Sequence, residues 1–234
     1  MHHTLATAFS IWATFFFVAT PVMADGPVVV ELFTSQGCSS CPAADKMLQT
    51  LAMRSDVIAL ALHVDYWDYI GWADSFADPD HTVRQQRYAY VVGASTIYTP
   101  QMIVGGVDHV IGAKPMDVAN LIQAHTANST GTQIRLQRTG DQLQITGVTS
   151  RALRSGTVVQ VIRYSPQETV DIHHGENAGK SLTYANIVTE WSSIGEWNGD
   201  GDLNMTVNTS GKEPLVVIVQ EPGPGAIRAS AVLQ

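Results

Sequence analysis

The stretch Val28-Val29-Val30-Glu31-Leu32-Phe33-Thr34-Ser35-Gln36-Gly37-Cys38-Ser39-Ser40-Cys41-Pro42 decides how this chain is read. An apolar run suited to a buried strand leads into a polar turn, and the turn holds both cysteines of the protein. Downstream, Ala44, Met47, Leu48 and Leu51 recur at i, i+3, i+4 and i+7, which predicts a helix from about Ser39 to Ala52. Pro42 falls in its first turn, where a missing N–H costs nothing. Unpaired N–H groups and the positive end of the helix dipole favour a thiolate over a thiol at such a start. Cys38 is therefore expected at the exposed helix start as the nucleophile, with Cys41 one turn in as the resolving thiol.

Working outward, Val57 to Val64 reads as a second buried strand, so strand, helix and strand make a right-handed βαβ unit. Ligands of such sheets gather beyond the carboxyl ends of the strands. Gly37-Cys38 follows the first strand and Asp65-Tyr66-Trp67-Asp68 the second. Asp65 borders this cleft and is a candidate to carry the proton of the resolving thiol; capping a turn is its bland alternative. Glu31 could do the same if it pointed inward. The aromatic-rich segment 65–98, with a helix over about Thr82 to Val92, is expected to cap the site. Gly37, Ser39, Ser40, Trp67 and Trp72 are the candidate partner-binding residues. Further on, Gly105-Gly106 joins two short β runs as a hairpin, and a helix runs from Pro115 to about Thr126.

The chain has 234 residues, 45% apolar and 15% charged, enough for two domains. A net charge of −8 with scattered basic residues argues against nucleic acid. Residues 1–24 read as a secretory signal peptide: Leu5 to Val18 is apolar or small, and Val22-Met23-Ala24 precedes the first charge, Asp25. The n-region has histidines where lysine or arginine is usual. That segment is short for a membrane span, so a periplasmic or secreted protein without stable membrane insertion is expected. In an oxidising compartment the two cysteines are expected to pair.

Strand, C-x-x-C helix, strand, then Tyr98-Thr99-Pro100 before a glycine-turned hairpin and a closing helix resembles the thioredoxin superfamily. The resemblance covers about residues 26 to 127. It implies that the Thr99-Pro100 bond is cis and lies against the cysteines, with the Thr99 backbone pairing an extended partner. Gly37 stands where thioredoxin itself has tryptophan. Three stretches, Phe33 to Pro42, His63-Val64-Asp65-Tyr66-Trp67-Asp68 and Gly175-Glu176-Asn177-Ala178-Gly179-Lys180, resemble an exported bacterial family, domain of unknown function 1223.

From about Thr130 the pattern changes to short β runs separated by Gly, Asp, Asn and Pro: Thr132 to Leu136, Gln142 to Thr149, Thr157 to Tyr164, Leu203 to Val207, Leu215 to Gln220 and Arg228 to Leu233. The expected architecture is an α/β thioredoxin-like domain over 25–128 followed by an all-β, sandwich-like domain over 129–234. The function expected is thiol–disulfide exchange with a protein thiol or disulfide partner, through Cys38 and Cys41 with Thr99, Pro100 and Asp65, and with no cofactor. Two alternatives stay open. One is a copper-binding or metallochaperone module using both thiolates with His63, Met102 or His109. The other is a non-catalytic binding protein with a structural disulfide.

Overall fold

In the computed structural model, which describes residues 26–128, 130–209 and 211–234, Val28–Thr34 (β1) and Val57–His63 (β2) form a parallel pair joined by the helix Pro42–Ala52 (α1). The signal-peptide reading of residues 1–24 lies outside the described residues. Alternation along β1 sends Val29 and Phe33 to one face of the sheet and Val30 and Leu32 to the other. The second face is covered by α1, through Ala44, Leu48 and Leu51, and by Pro115–Ala127 (α3), through Val118 and Ile122. The first meets Tyr88 of Pro79–Val91 (α2). Asp78 caps α2 by accepting from the Asp80 N–H. Among the described residues no helix is long and apolar enough to cross a membrane.

The hairpin Gln101–Val104 (β3) and Asp108–Ile111 (β4) adds to β1 in antiparallel fashion. Strands from the second half extend the same sheet on its other side. Val158–Asp171 (β7), Ser181–Glu196 (β8), Leu215–Gln220 (β10) and Ile227–Leu233 (β11) complete an eight-stranded mixed sheet in the order β11-β10-β7-β8-β2-β1-β3-β4. The link between the halves is β8, which runs parallel to β2 with Ile187 opposite Ala61. Asn186 fixes this seam: it adopts a left-handed φ of 50° and donates from Nδ2 to the carbonyl of Ala59. Thr132–Thr139 (β5), Gln142–Thr149 (β6) and Leu203–Asn208 (β9) form a separate three-stranded sheet. Its Ile134, Leu143 and Ile145 pack on Val159, Val161, Leu215, Val217 and Val219 of the large sheet. The architecture is thus mixed α/β, with one large sheet, one small sheet and three α-helices among the described residues.

β7 and β8 are 14 and 16 residues long, and beyond the part of β7 that β10 covers they continue as a paired two-stranded arm. The arm's tip, residues 172–180, is the Gly175-to-Lys180 motif, and it returns over the C-terminal ends of β1 and β2.

Candidate functional site

Cys38 and Cys41 are joined by a disulfide with a Cα–Cα distance of 5.4 Å. The helix begins later than its apolar spacing predicts. Cys41 is its N-cap and Pro42 its first residue, so the first α-helical bond runs from the Asp45 N–H to the Cys41 carbonyl at 3.0 Å. Pro42 has no N–H to give the Cys38 carbonyl four residues back. That carbonyl accepts instead from Cys41 N at 3.2 Å and from Asn177 Nδ2 at 3.0 Å. Asn177 Nδ2 also donates to the carbonyl of Gln36 at 2.9 Å, and Lys180 Nζ holds Asn177 Oδ1 at 2.8 Å. The arm tip therefore clamps the cysteine turn from a sequence distance of 139 residues. Asn177→Ala is expected to cost about 1–3 kcal/mol, because it strips a buried carbonyl of its donor. Thermal unfolding measures this, and a loss within error would remove the clamp from the account.

Both cysteines are buried, Cys38 at 1% exposure and Cys41 at 0%, where the sequence led us to expect an exposed Cys38. The covers come from the segment after β2 and from the arm. A Cβ on Gly37 would stand 3.2 Å from Trp67 Cβ and Ile70 Cδ1, so glycine is what lets this segment close on the turn. Trp67 Nε1 donates to Thr99 Oγ1 at 2.8 Å, which ties the cover to the Thr99-Pro100 turn, whose peptide bond is cis. Pro100 is buried next to α1, within reach of the same point over Gly112 as Ala44. Trp72 Nε1 donates to Gln36 Oε1 at 2.8 Å, and its ring meets His173 and His174 of the arm. Ser39 and Ser40 form the exposed rim, and the Ser40 hydroxyl donates to Cys38 Sγ at 3.4 Å. Gly37, Ser39 and Ser40 thus adjoin the bridge, Trp67 closes on Gly37 and links to Thr99, Pro100 lies by Ala44 of α1, and Trp72 joins through Gln36.

The carboxylates are arranged differently from the sequence reading. Asp65 accepts from the Thr82 hydroxyl at 2.6 Å and takes the role of anchoring α2 to the end of β2. Glu31 faces α2, where Arg84 neutralises it through bonds of 2.6 and 2.9 Å. The acid beneath the bridge is Asp45, one turn after Cys41 and 5% exposed. Thr34 Oγ1 donates to its Oδ1 at 2.7 Å. Burial pushes the Asp45 carboxyl up to about 7, against the opposing pull of His63 and the Thr34 hydrogen bond, with Asp74 adding to the rise. His63, opposite Thr34 in the sheet register, bonds Asp74 through Nδ1 at 2.7 Å with both side chains fully buried. The sequence signal for Asp45 was its spacing: four residues after Cys41 and three before Leu48 places it on the buried stripe of α1. Asp74 and Asn177 carried no local signal. A cavity of about 570 Å³ under α2, lined by His81, Arg84, Gln160 and Trp191 among others, lies apart from the cysteines.

A family model described as a protein of unknown function, DUF1223, matches residues 29–220. The chain belongs to this DUF1223 family. A crystal structure of protein AGR_C_4864 from Agrobacterium tumefaciens is similar to this DUF1223 chain, with 33% identity and a TM-score of 0.77. The match covers 88% of this chain and 93% of that one. HBP35 of Porphyromonas gingivalis is similar in fold, with a TM-score of 0.59 at 15% identity, over 89% of this chain and 74% of that one. Among curated proteins none matches.

Proposed function

We propose that this protein performs thiol–disulfide exchange with a protein partner outside the cytoplasm, through the Cys38–Cys41 bridge. In this reading the first half is a thioredoxin-like unit, and the strands after residue 129 are a sandwich-like unit whose arm steadies the redox turn. The observation that carries it is Asp45. A bridge closing so short a loop adds little stability, and an inert one has no use for a desolvated carboxyl held near neutrality one turn below it. Exchange does have a use for it. A partner thiolate attacks Cys38 Sγ, the bond between the two sulfurs breaks, and Cys41 leaves with the electron pair as a buried thiolate that takes a proton from Asp45. A second partner thiolate then displaces Cys38 from the mixed disulfide. The partner dithiol is oxidised and the bridge gains two electrons; the reverse sequence oxidises a partner.

The burial of both sulfurs favours a second reading, a non-catalytic protein whose bridge pins the turn. For exchange, the covers over the turn must open locally to admit a thiol. No observation favours copper binding: His63 Nδ1 is committed to Asp74, Met102 lies in the core, and the described residues hold no cluster of three metal-binding His, Cys, Asp or Glu.

Equilibration with a glutathione redox series, read by thiol alkylation, tests the proposal. The folded protein is expected to show an exchangeable couple, Cys41→Ser to trap a partner peptide as a mixed disulfide, and Cys38→Ser to form none. A bridge reduced only when the protein unfolds would leave the pinned-turn reading in its place.

A further inference from the structure

Three buried polar atoms beneath the bridge, Asp45 Oδ2, His63 Nε2 and Tyr184 OH, have no hydrogen-bond partner within the protein. They belong to side chains that meet at one place. Thr34 and His63 are paired at the ends of β1 and β2, Thr34 holds Asp45 Oδ1, and the Tyr184 ring on β8 packs edge-on against His63 at 4.8 Å. Unpartnered polar groups at such depth are costly, and a water with several polar neighbours is the usual remedy.

The bonding of Asp74 fixes the tautomer of the His63 ring. Asp74 Oδ2 accepts from the Gln36 N–H at 2.8 Å and Oδ1 from the Phe76 N–H at 2.9 Å, so this carboxyl is an acceptor. Its contact with His63 Nδ1 at 2.7 Å therefore places the neutral ring's proton on Nδ1 and leaves the lone pair on the unpartnered Nε2. A carboxylate behind one nitrogen and an unpartnered second nitrogen in front is how a general base is oriented. A histidine serving only the core would have both nitrogens occupied.

We propose that Asp45, His63 and Tyr184 share a buried water and form a two-stage proton relay for Cys41, with His63 as the second carrier and Asp74 as the residue that positions it. The proposal rests on the exchange reading above. When Cys41 is released as a thiolate it takes the Asp45 proton. The Asp45 carboxylate so formed is held by the Thr34 hydroxyl and, through the water, by the Tyr184 hydroxyl. His63, protonated at Nε2 and stabilised by Asp74, returns a proton to Asp45, and neutral His63 is recharged from solvent. When a partner is reduced the bridge is oxidised, and each proton moves in the opposite sense. Burial and the nearby Asp45 and Asp74 push the Tyr184 hydroxyl up, so it stays a neutral donor throughout. The titratable groups around His63 are Asp45 on α1, Asp74 in the segment before α2, Tyr184 on β8, and His81 on α2, whose Nδ1–H donates to the His63 carbonyl. His81 is held toward its neutral form by burial, so it keeps this bond without entering the relay.

The test is the rate of reduction of the full chain by dithiothreitol between pH 5 and 8, corrected for the reagent's own thiolate fraction. The relay predicts a corrected profile that bends near neutrality in the parent protein. His63→Gln and Asp74→Asn are expected to lower the rate at pH 7 at least tenfold and to flatten that bend, and Tyr184→Phe to shift it. A His63→Gln protein with the parent profile overturns the relay while leaving exchange intact. If His63→Gln does not fold, Tyr184→Phe decides: it lacks a single hydroxyl, and an unshifted bend overturns the proposal. A parent protein not reduced at all while folded overturns the exchange reading, and the relay with it.

Discussion

Arg84→Leu is expected to cost about 3–5 kcal/mol of folding stability, because it leaves a charge buried without its partner. Glu31 sits in the middle of β1 with no exposure, facing α2 by the same alternation that sends Val29 and Phe33 there. Arg84 meets it with two parallel bonds, Nε to Oε2 and Nη2 to Oε1, and the Tyr88 hydroxyl adds a third at 2.6 Å. The guanidinium also stacks on the Trp191 ring at 3.8 Å and donates to Gln220 Oε1, so it joins α2 to strands of both halves of the chain. Leucine removes the guanidinium's bonds to Glu31 and Gln220 and leaves the buried carboxylate with the Tyr88 hydroxyl as its remaining donor among these. Urea unfolding at pH 7 measures the loss. The double variant Glu31→Leu with Arg84→Leu should recover most of it, since an apolar pair of similar volume carries no desolvation cost. A loss under about 1 kcal/mol for the single variant would mean that solvent reaches Glu31 and that the ion pair is a surface one.

Glu31 also shows how far the sequence could be read. The strands β1 and β2, the helix between them, the glycine-turned hairpin and the bounds of β6 and β10 follow from apolar period and turn residues, because each is a local pattern meeting one environment. β8 was missed although it is the longest strand. Ser181 to Glu196 carries no steady two-residue alternation, since Asn186 turns it with a positive φ, Ile187 beside that turn meets Ala61 of β2, and the strand on either side pairs with β7. Without β8 the two halves looked separate, whereas one sheet runs through both. The disulfide and its neighbours in the first half were legible. Of the acids the sequence offers near the bridge, parity along β1 sets Glu31 apart, and Asp65, beyond the end of β2, is engaged by Thr82. Thr34, Val30 and Leu32 share the face that α1 covers, as His63 does with Val57, Ala59 and Ala61, while Glu31 shares the opposite one. An acid one turn after Cys41 on the stripe of α1 must lie over Thr34 and His63. Asn177 could not have been found this way, because nothing local records that a loop 139 residues later closes on Cys38.

Asp45 gives the second large effect, a dependence of stability on pH. Its carboxyl is held at about 7 in the folded protein against 3.8 as the ordinary value, the rise being due first to burial. A group whose folded value is raised contributes its stability in full below the unfolded value and loses it as pH rises through the folded one. The Asp45 contribution is therefore intact at pH 3.8 and below, declines through pH 4 to 7, and has gone above about 7, a total change of about 4 kcal/mol. Asparagine keeps the shape and the acceptor for Thr34 but cannot ionise. Measured by denaturant unfolding with the disulfide intact, the stability of Asp45→Asn relative to the parent should rise by about 4 kcal/mol between pH 4 and 8, most of it between 5 and 7. Every other titrating group is common to both proteins, so the difference isolates this carboxyl unless the substitution disturbs His63. Parallel curves would mean that Asp45 ionises at its ordinary value, and the case for a proton donor beneath Cys41 would fall with it. The expected divergence has a direct chemical meaning. Above neutrality the oxidised protein carries the cost of a buried carboxylate, and that cost is lowest where Asp45 holds the proton that the proposed exchange would pass to Cys41.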